Sequence, residues 1–252
     1  MSDSEAPGPD ETLDAIGEGE VRLLQRRDGY RFNLDAVLLA EFAMGARAGE
    51  RPTRVVDLGC GCGVIALLLK SRRPAWEVSA LELQPSLASL ARRNARLNAL
   101  EVRVVEGDLR APAVELGRDF ELVVANPPYF AATAGHPSVD AEKAAARHDL
   151  SASPVDLAQA AKRLVKSSGA LCVVYPAGRL PRLLEALSAA RLVPARWRSV
   201  HPRAHAPAGV VLVEARPDAR RPLVIEPPLV VHEADGAFGP EAQRMLSRGG
   251  GA

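Results

Sequence analysis

Apolar residues along this chain follow two alternating patterns. Short continuous runs, RVVDL (54–58), EVSALE (77–82), VRVVEG (102–107), FELVVA (120–125) and ALCVVY (170–175), are rich in valine and leucine and lack a polar face. Longer stretches, Val64–Ser71, Ser86–Asn98, Val155–Lys166 and Leu180–Ala189, return apolar residues at helical spacing. Apolar strands alternating with such helices predict βαβ units and a parallel sheet covered on both faces. Two further runs, PARWRSV (194–200) and GVVLVEAR (209–216), leave no room for a helix between them and predict an antiparallel hairpin at the sheet edge. The expected fold class is therefore α/β, a doubly wound, mostly parallel seven-stranded sheet with an antiparallel edge hairpin.

Outside that body the pattern is weaker. The run VRLLQ (21–25) reads as a short strand, and Leu34–Met44 as a helix with Asn33 placed to cap it. The end of the chain holds a proline-interrupted run, LVIEPPLVVHE (223–233), and a last short helix near Glu241–Leu246. Residues 1–17 are acidic and punctuated by proline and glycine, the composition of a disordered segment. The expected organisation is a disordered acidic tail over residues 1–20, then a single domain over 21–252 with short extensions at either end.

Charge changes this picture in one respect. Seven of the 31 acidic residues lie in positions 1–20, which hold no basic residue, so the remainder carries 24 acidic against 32 basic side chains. A body with that excess suits a polyanionic partner, although a preference for arginine in place of lysine would produce the same count. No apolar run approaches the 18 or so residues that span a bilayer, and the N-terminus lacks a basic-then-apolar leader pattern, so the expected location is cytoplasmic. Cys60 and Cys62 sit two apart without a partner pair of Cys or His, which makes a poor zinc site; the odd total of three cysteines fits a reducing compartment. No metal, no membrane and a monomeric state are expected.

The first candidate chemistry lies in VVDLGCGCGV (Val55–Val64), a strand, a turn with Gly59, Gly61 and Gly63, and the start of a helix. Glycine permits positive φ and lets a ligand approach the backbone. A nicotinamide fingerprint would place a glycine at position 64, which is Val64. The pattern instead resembles motif I of the class I S-adenosylmethionine-dependent methyltransferases, which implies a Rossmann-like methyltransferase fold and that cofactor. In that resemblance Asp57 lies near the cofactor's amino-acid end, and Gly59 and Gly61 pack beside its homocysteine portion. Glu82, at the end of the next strand, can accept both ribose hydroxyls, and Asp108, at the end of the third, faces the adenine amino group. Ligands of open α/β sheets bind at those carboxyl strand ends.

The fourth strand runs into Asn126-Pro127-Pro128-Tyr129. This resembles the motif of methyltransferases that modify exocyclic adenine amines, guanine N2 or the glutamine amide. Such a nitrogen shares its lone pair with a π system and is a poor nucleophile. The Asn126 side-chain oxygen and the Pro127 carbonyl can accept its two N–H groups and aim the lone pair. Consecutive prolines fix φ and preorganise those acceptors. Tyr129 can stack on the planar group.

Three flanking segments bear on the substrate. GYRFNLDAVLLAEF (29–42), ARHDLSASPVDLAQAAKRLVKSSGALCVVYP (146–176) and EPPLVVHEADGAFGPEAQRML (226–246) resemble the bacterial valine-tRNA adenine(37)-N6-methyltransferase family, with Phe238 where a tyrosine often stands. The resemblance covers roughly residues 20–246. It implies tRNA as partner, Phe32, Asn33 and Asp35 near the cofactor and the mouth of the site, and Arg147-His148 ordering the substrate loop. Residues 179–221 hold nine arginines against three acidic residues, with Trp197, His201 and His205 among them. Arg196 and Arg198 are the candidate RNA contacts, the alternative being an ordinary solvated face. Rival readings are glutamine methylation of a release factor, ribosomal-RNA guanine-N2 methylation, and an inert RNA-binding module. Release-factor enzymes carry a helical N-terminal domain for which the residues before motif I leave little room, and an inert module would be expected to lose the tetrapeptide first.

Overall fold

The computed structural model describes residues 6–17, 19–28, 34–47, 51–111, 114–127 and 152–247. Each long apolar run forms the strand its pattern predicts: β3 (Arg54–Leu58), β4 (Glu77–Glu82), β5 (Val102–Glu106), β6 (Phe120–Ala125) and β7 (Val165–Pro176). They pair in parallel in the order β7-β6-β3-β4-β5. The chain moves outward from β3 to β5 and then returns to lay β6 on the other flank of β3. That reversal opens a crevice between β3 and β6 at their carboxyl ends.

Helices cover both faces, as continuous apolar strands require. On one face α1 (Leu34–Gly45), α2 (Val64–Arg72) and α3 (Pro85–Leu97) enclose a core that includes Val55, Leu122, Val124 and Cys172. On the other, α4 (Pro154–Leu164) and α5 (Leu180–Ala189) close over Val56, Val123, Val173 and Tyr175. The expected hairpin is present as β8 (Leu192–His201) and β9 (Val210–Pro217), with β9 antiparallel to both β7 and β8.

Three expectations need correction. The acidic tail is not disordered where it is described: β1 (Glu11–Ile16) pairs antiparallel with β2 (Val21–Arg26), and the boundary expected at residue 20 falls in their turn. Its acidic residues find distant arginines. Glu11 meets Arg93 at 2.6 Å, and Glu20 meets Arg72 at 2.8 Å, where Glu41 of α1 joins the same guanidinium. All three side chains of that triad are at most 7% exposed, so the acidity knits the fold together and does not solvate a tail.

The hairpin is also not the outer edge. Pro227 and Pro228 split the last apolar run into β10 (Val224–Ile225) and β11 (Leu229–Val230), which pair in parallel with successive stretches of β8 and bring the sheet to nine strands. Finally, α4 stops at Leu164 where Lys166 was expected, because Val165 already has extended dihedrals and residues 166–169 bulge out of register before β7 regains it at Ala170. The last described element is α6 (Pro240–Ser247), which packs against α1 and β11.

Candidate functional site

The glycine turn joins β3 to α2, and all three of its glycines have positive φ: 70° at Gly59, 58° at Gly61 and 90° at Gly63. They do different work. A Cβ built on Gly59 or Gly61 meets nothing within 4 Å, whereas one on Gly63 comes within 3.2 Å of the Ala91 Cβ. Gly63 lets α2 settle against α3, and Gly59 and Gly61 leave a space that a ligand can enter.

The turn is held from below and from the side. The amides of Gly59 and Cys60 donate to the Leu81 carbonyl at 2.8 and 3.1 Å. Gly61 N–H donates to Glu82 Oε2 at 2.8 Å, and Asn94 Nδ2 of α3 donates to the Cys62 carbonyl at 3.0 Å. Glu82 is almost fully buried, and its other oxygen accepts the Gln84 amide at 2.9 Å. Each oxygen has thus spent one lone pair on the backbone, which fixes the carboxylate and leaves acceptor capacity for a pair of hydroxyls.

Asp57 lies fully buried at the end of β3. Its Oδ2 accepts the Ala66 amide at 3.3 Å, while Oδ1 has no hydrogen-bond partner among the described residues. Burial pushes its carboxyl up to about 7, and the nearby Glu82 charge adds to the rise. A buried acceptor without a partner is costly, so this oxygen suits a site completed by a cationic ligand. The open glycine positions, the fixed Glu82 carboxylate and the orphaned Asp57 oxygen together fit the sulfonium cofactor that the resemblance implies. Asp108 comes to the same rim, but its carboxylate is already bound by its neighbour: Arg110 N–H donates at 2.8 Å and the Arg110 guanidinium at 2.7 Å. That pairing holds its pKa below the ordinary carboxylate value.

β6 brings the tetrapeptide to this place. Ala125 is in register with Leu58, the last pair of the ladder, so Gly59 and Asn126 each follow directly on a paired residue at the same end of the sheet. The Asn126 side chain makes no hydrogen bond to any described residue, and both Asn126 and Pro127 are half-buried. A free, partly desolvated amide oxygen beside an open glycine turn can accept an N–H from a flat amine. Pro128, Tyr129, Arg147 and His148 lie outside the described residues, as do Phe32 and the cap residue Asn33.

The two arginines expected to contact RNA serve the fold. Arg196 Nε donates to Glu214 at 2.8 Å and its Nη1 to Glu226 at 3.0 Å, while its Nη2 donates to the Phe42 carbonyl at 2.6 Å. The guanidinium lies 3.8 Å from the centre of the Phe42 ring. Arg198 grips both oxygens of Glu241 at 2.7 Å and donates to the Pro227 carbonyl at 2.9 Å. Every guanidinium nitrogen of these two mid-strand arginines is engaged by the protein, so their main partners are carboxylates and carbonyls of the fold itself. Trp197 packs beneath α5 against the second core, and His201 braces its own loop through Ser199 Oγ and the Ala206 carbonyl.

Asn94 and Asn98 escaped the sequence reading. They lie four apart on one face of α3, and their side-chain amides pair with the backbone of β2 as a neighbouring strand would. Asn94 binds both the N–H and the carbonyl of Leu24, at 2.8 and 3.0 Å, and Asn98 does the same to Arg22, at 2.8 and 2.7 Å. Two asparagines at helical spacing inside an apolar stripe were the available signal. Among the described residues there is no cluster of His, Cys, Asp and Glu able to hold a metal, and no helix long and apolar enough to cross a membrane. Burial pushes the Cys62 thiol up to about 12, which leaves it a poor nucleophile.

Comparison with known proteins bears on most of the chain. A family model described as the methyltransferase small domain matches residues 36–187. A tRNA1(Val) (adenine(37)-N6)-methyltransferase of Porphyromonas gingivalis is 33% identical over 224 residues, covering 85% of this chain and 86% of that protein. A release factor glutamine methyltransferase of Deinococcus radiodurans is 47% identical, but over only 103 residues, which is 41% of this chain and 34% of that one. Among solved structures, one from Agrobacterium tumefaciens described as a predicted O-methyltransferase superposes with a TM-score of 0.66 at 27% identity, covering 86% of this chain and 97% of that one.

Proposed function

The chain belongs to the methyltransferase small-domain family, and from that premise we propose that it methylates the exocyclic N6 amine of an adenine in tRNA, at position 37 of a valine tRNA. S-adenosylmethionine is the methyl donor; when bound it supplies an electrophilic methyl group on a sulfonium. Gly59 and Gly61 leave the room for it, Glu82 holds its ribose hydroxyls, and Asp57 offers a carboxylate to its cationic amino-acid end. Asp108 can meet its adenine amine only by giving up part of its bond to Arg110.

The observation that carries the chemistry is the register of β6 on β3, which sets Asn126 beside Gly59 at the topological switch point. Asn126 Oδ1 and the Pro127 carbonyl accept the two N–H groups of the target amine, so its lone pair turns toward the methyl group. By the chemistry of the motif, Pro128 would restrict the backbone and Tyr129 would stack on the base. No residue has to remove a proton first, because the amine can shed one after it has been alkylated. Alignment and fixed dipoles do the work, and loss of one such preorganised bond costs about 3 kcal/mol. A hydroxyl acceptor has a single hydrogen and would leave one of the two acceptors unused, so the arrangement favours an amine over the oxygen chemistry named for the Agrobacterium protein.

Breadth of similarity supports the substrate. Likeness to the release-factor enzyme is high but confined to 41% of the chain, whereas likeness to the tRNA enzyme extends over 85% of it. The described groups invoked here, Asp57, Gly59, Gly61, Glu82, Asp108 and Asn126, come from a single chain, which supports action as a monomer. Incubation with labelled donor and tRNA, followed by nucleoside mass spectrometry, should yield N6-methyladenosine; label entering release factor and not tRNA would overturn the substrate.

A further inference from the structure

The sheet sorts the arginines of residues 179–221 by where they sit and what they hold. Arg191 pairs with Asp218, Arg196 with Glu214 and Glu226, Arg198 with Glu241, and Arg216 with Glu214. Among the described residues, Arg179, Arg182, Arg203, Arg220 and Arg221 form no ion pair and no side-chain hydrogen bond. Arg220 and Arg221 follow β9, which runs antiparallel to β7 and therefore ends on the rim away from Asn126. Arg179 and Arg182 follow the end of β7, and Arg203 lies in the loop after β8, both on the Asn126 rim.

Hydrogen bonds brace this part of the rim. The Ala177 amide donates to the Gly209 carbonyl at 3.0 Å, joining the β7 end to the β8–β9 loop. Inside that loop the Ala206 amide donates to the Arg203 carbonyl at 3.0 Å, and His201 binds the Ala206 carbonyl at 2.8 Å. Arg179 and Arg182 both lie close enough to Tyr175 to oppose the rise that burial imposes on its pKa. Beyond the loop, the His232 amide donates to the Pro202 carbonyl at 3.0 Å, and residues 232–238 close a small turn. There the Phe238 ring stacks on His232, with centroids 4.9 Å apart and planes inclined by 27°, yet Phe238 remains 42% exposed. The nearby acidic groups, Glu233 and Asp235, belong to that turn, and Asp235 is engaged by the Ala237 amide at 2.9 Å.

We propose that this ledge carries the unpaired RNA strand that flanks the target base: Arg179, Arg182 and Arg203 hold its phosphates, and Phe238, backed by His232, stacks a neighbouring base. Guanidiniums without a protein partner on the same rim as an exposed, braced aromatic match single-stranded RNA, whose phosphates bind cations and whose splayed bases bind rings. From β6 to the turn after β11 the ledge spans four strand spacings or about 19 Å, within reach of a few extended nucleotides. The inference rests on the tRNA reading above and assigns the side of the site from which the RNA arrives.

The test is binding of a fluorescent, unmodified valine tRNA transcript to the full chain across a salt series, with cofactor affinity measured in parallel. The triple charge reversal Arg179→Glu, Arg182→Glu, Arg203→Glu should weaken tRNA binding more than tenfold and lower the salt slope by about 2, at about 0.7 per phosphate contact for single strands. Cofactor affinity should not change. Phe238→Ala should weaken tRNA binding on the order of tenfold without altering the slope, and Phe238→Tyr should restore it. Arg220→Glu with Arg221→Glu, on the opposite rim, should do neither. Wild-type affinity and slope in the triple variant, or an equal loss in the opposite-rim variant, would overturn the ledge. Wild-type protein that methylates release factor and leaves tRNA unbound would instead overturn the substrate reading, before any variant is compared.

Discussion

Asp57 shows how a single buried atom links the fold to ligand binding. Its carboxyl sits at about 7 in the native protein, because burial disfavours the charge, against about 3.9 in an unfolded chain. Between those values the native state keeps a proton that the unfolded chain has released. Asp57 therefore makes the fold less stable as pH rises from about 4 to 7, and adds nothing further above that. A cationic ligand end favours the ionised form, so cofactor affinity should fall as pH drops below 7, approaching tenfold per unit. Calorimetric titration between about pH 5.5 and 8.5 checks this: Asp57→Asn should flatten the profile, and a flat wild-type profile would contradict the contact. The site residues were the most legible part of the sequence, because a glycine turn and a diproline tetrapeptide are local patterns with local chemistry. What could not be read was occupancy. Nothing in a linear motif says that Arg110 already holds Asp108, or that Arg196 lies on Phe42 with both of its carboxylate partners in place.

At the scale of elements, β3, β4, β5 and β6 were legible almost to the residue from their apolar runs, whereas β7 was legible only from Ala170, because the polar stretch 166–169 that precedes it bulges out of register. The β1–β2 hairpin was not. Its strands are short, its charges look solvated, and its partners Arg72, Arg93, Asn94 and Asn98 stand 50 or more positions away. The asparagine pair gives a test of what the hairpin does for the site. Asn94→Ala removes two buried hydrogen bonds to Leu24 and a partly buried one to the glycine turn, and should cost about 3 kcal/mol of stability while weakening cofactor binding. Asn98→Ala, one turn farther along and more exposed, should cost less and leave cofactor affinity unchanged, since it does not touch the turn. Chemical denaturation and calorimetry on the two variants separate these outcomes. Equal effects on cofactor binding would mean that the turn does not depend on Asn94.

At the scale of the molecule, topology decides which residues can act together. The reversal between β5 and β6 places the glycine turn and Asn126 side by side although 67 positions separate Gly59 from Asn126. The same sheet sends Arg203 to the active rim and Arg220 to the other, a distinction no count of arginines in a window contains. The account comes down to two acceptors, held rigidly beside the cofactor turn, that orient a poorly nucleophilic amine. Single-turnover methyl transfer to tRNA by Asn126→Ala, with cofactor affinity measured on the same preparation, addresses that claim most directly. The rate should fall by a factor on the order of a hundred or more while cofactor affinity holds. A variant that transfers methyl groups at the wild-type rate, or one that loses cofactor binding in step with its rate, would contradict it.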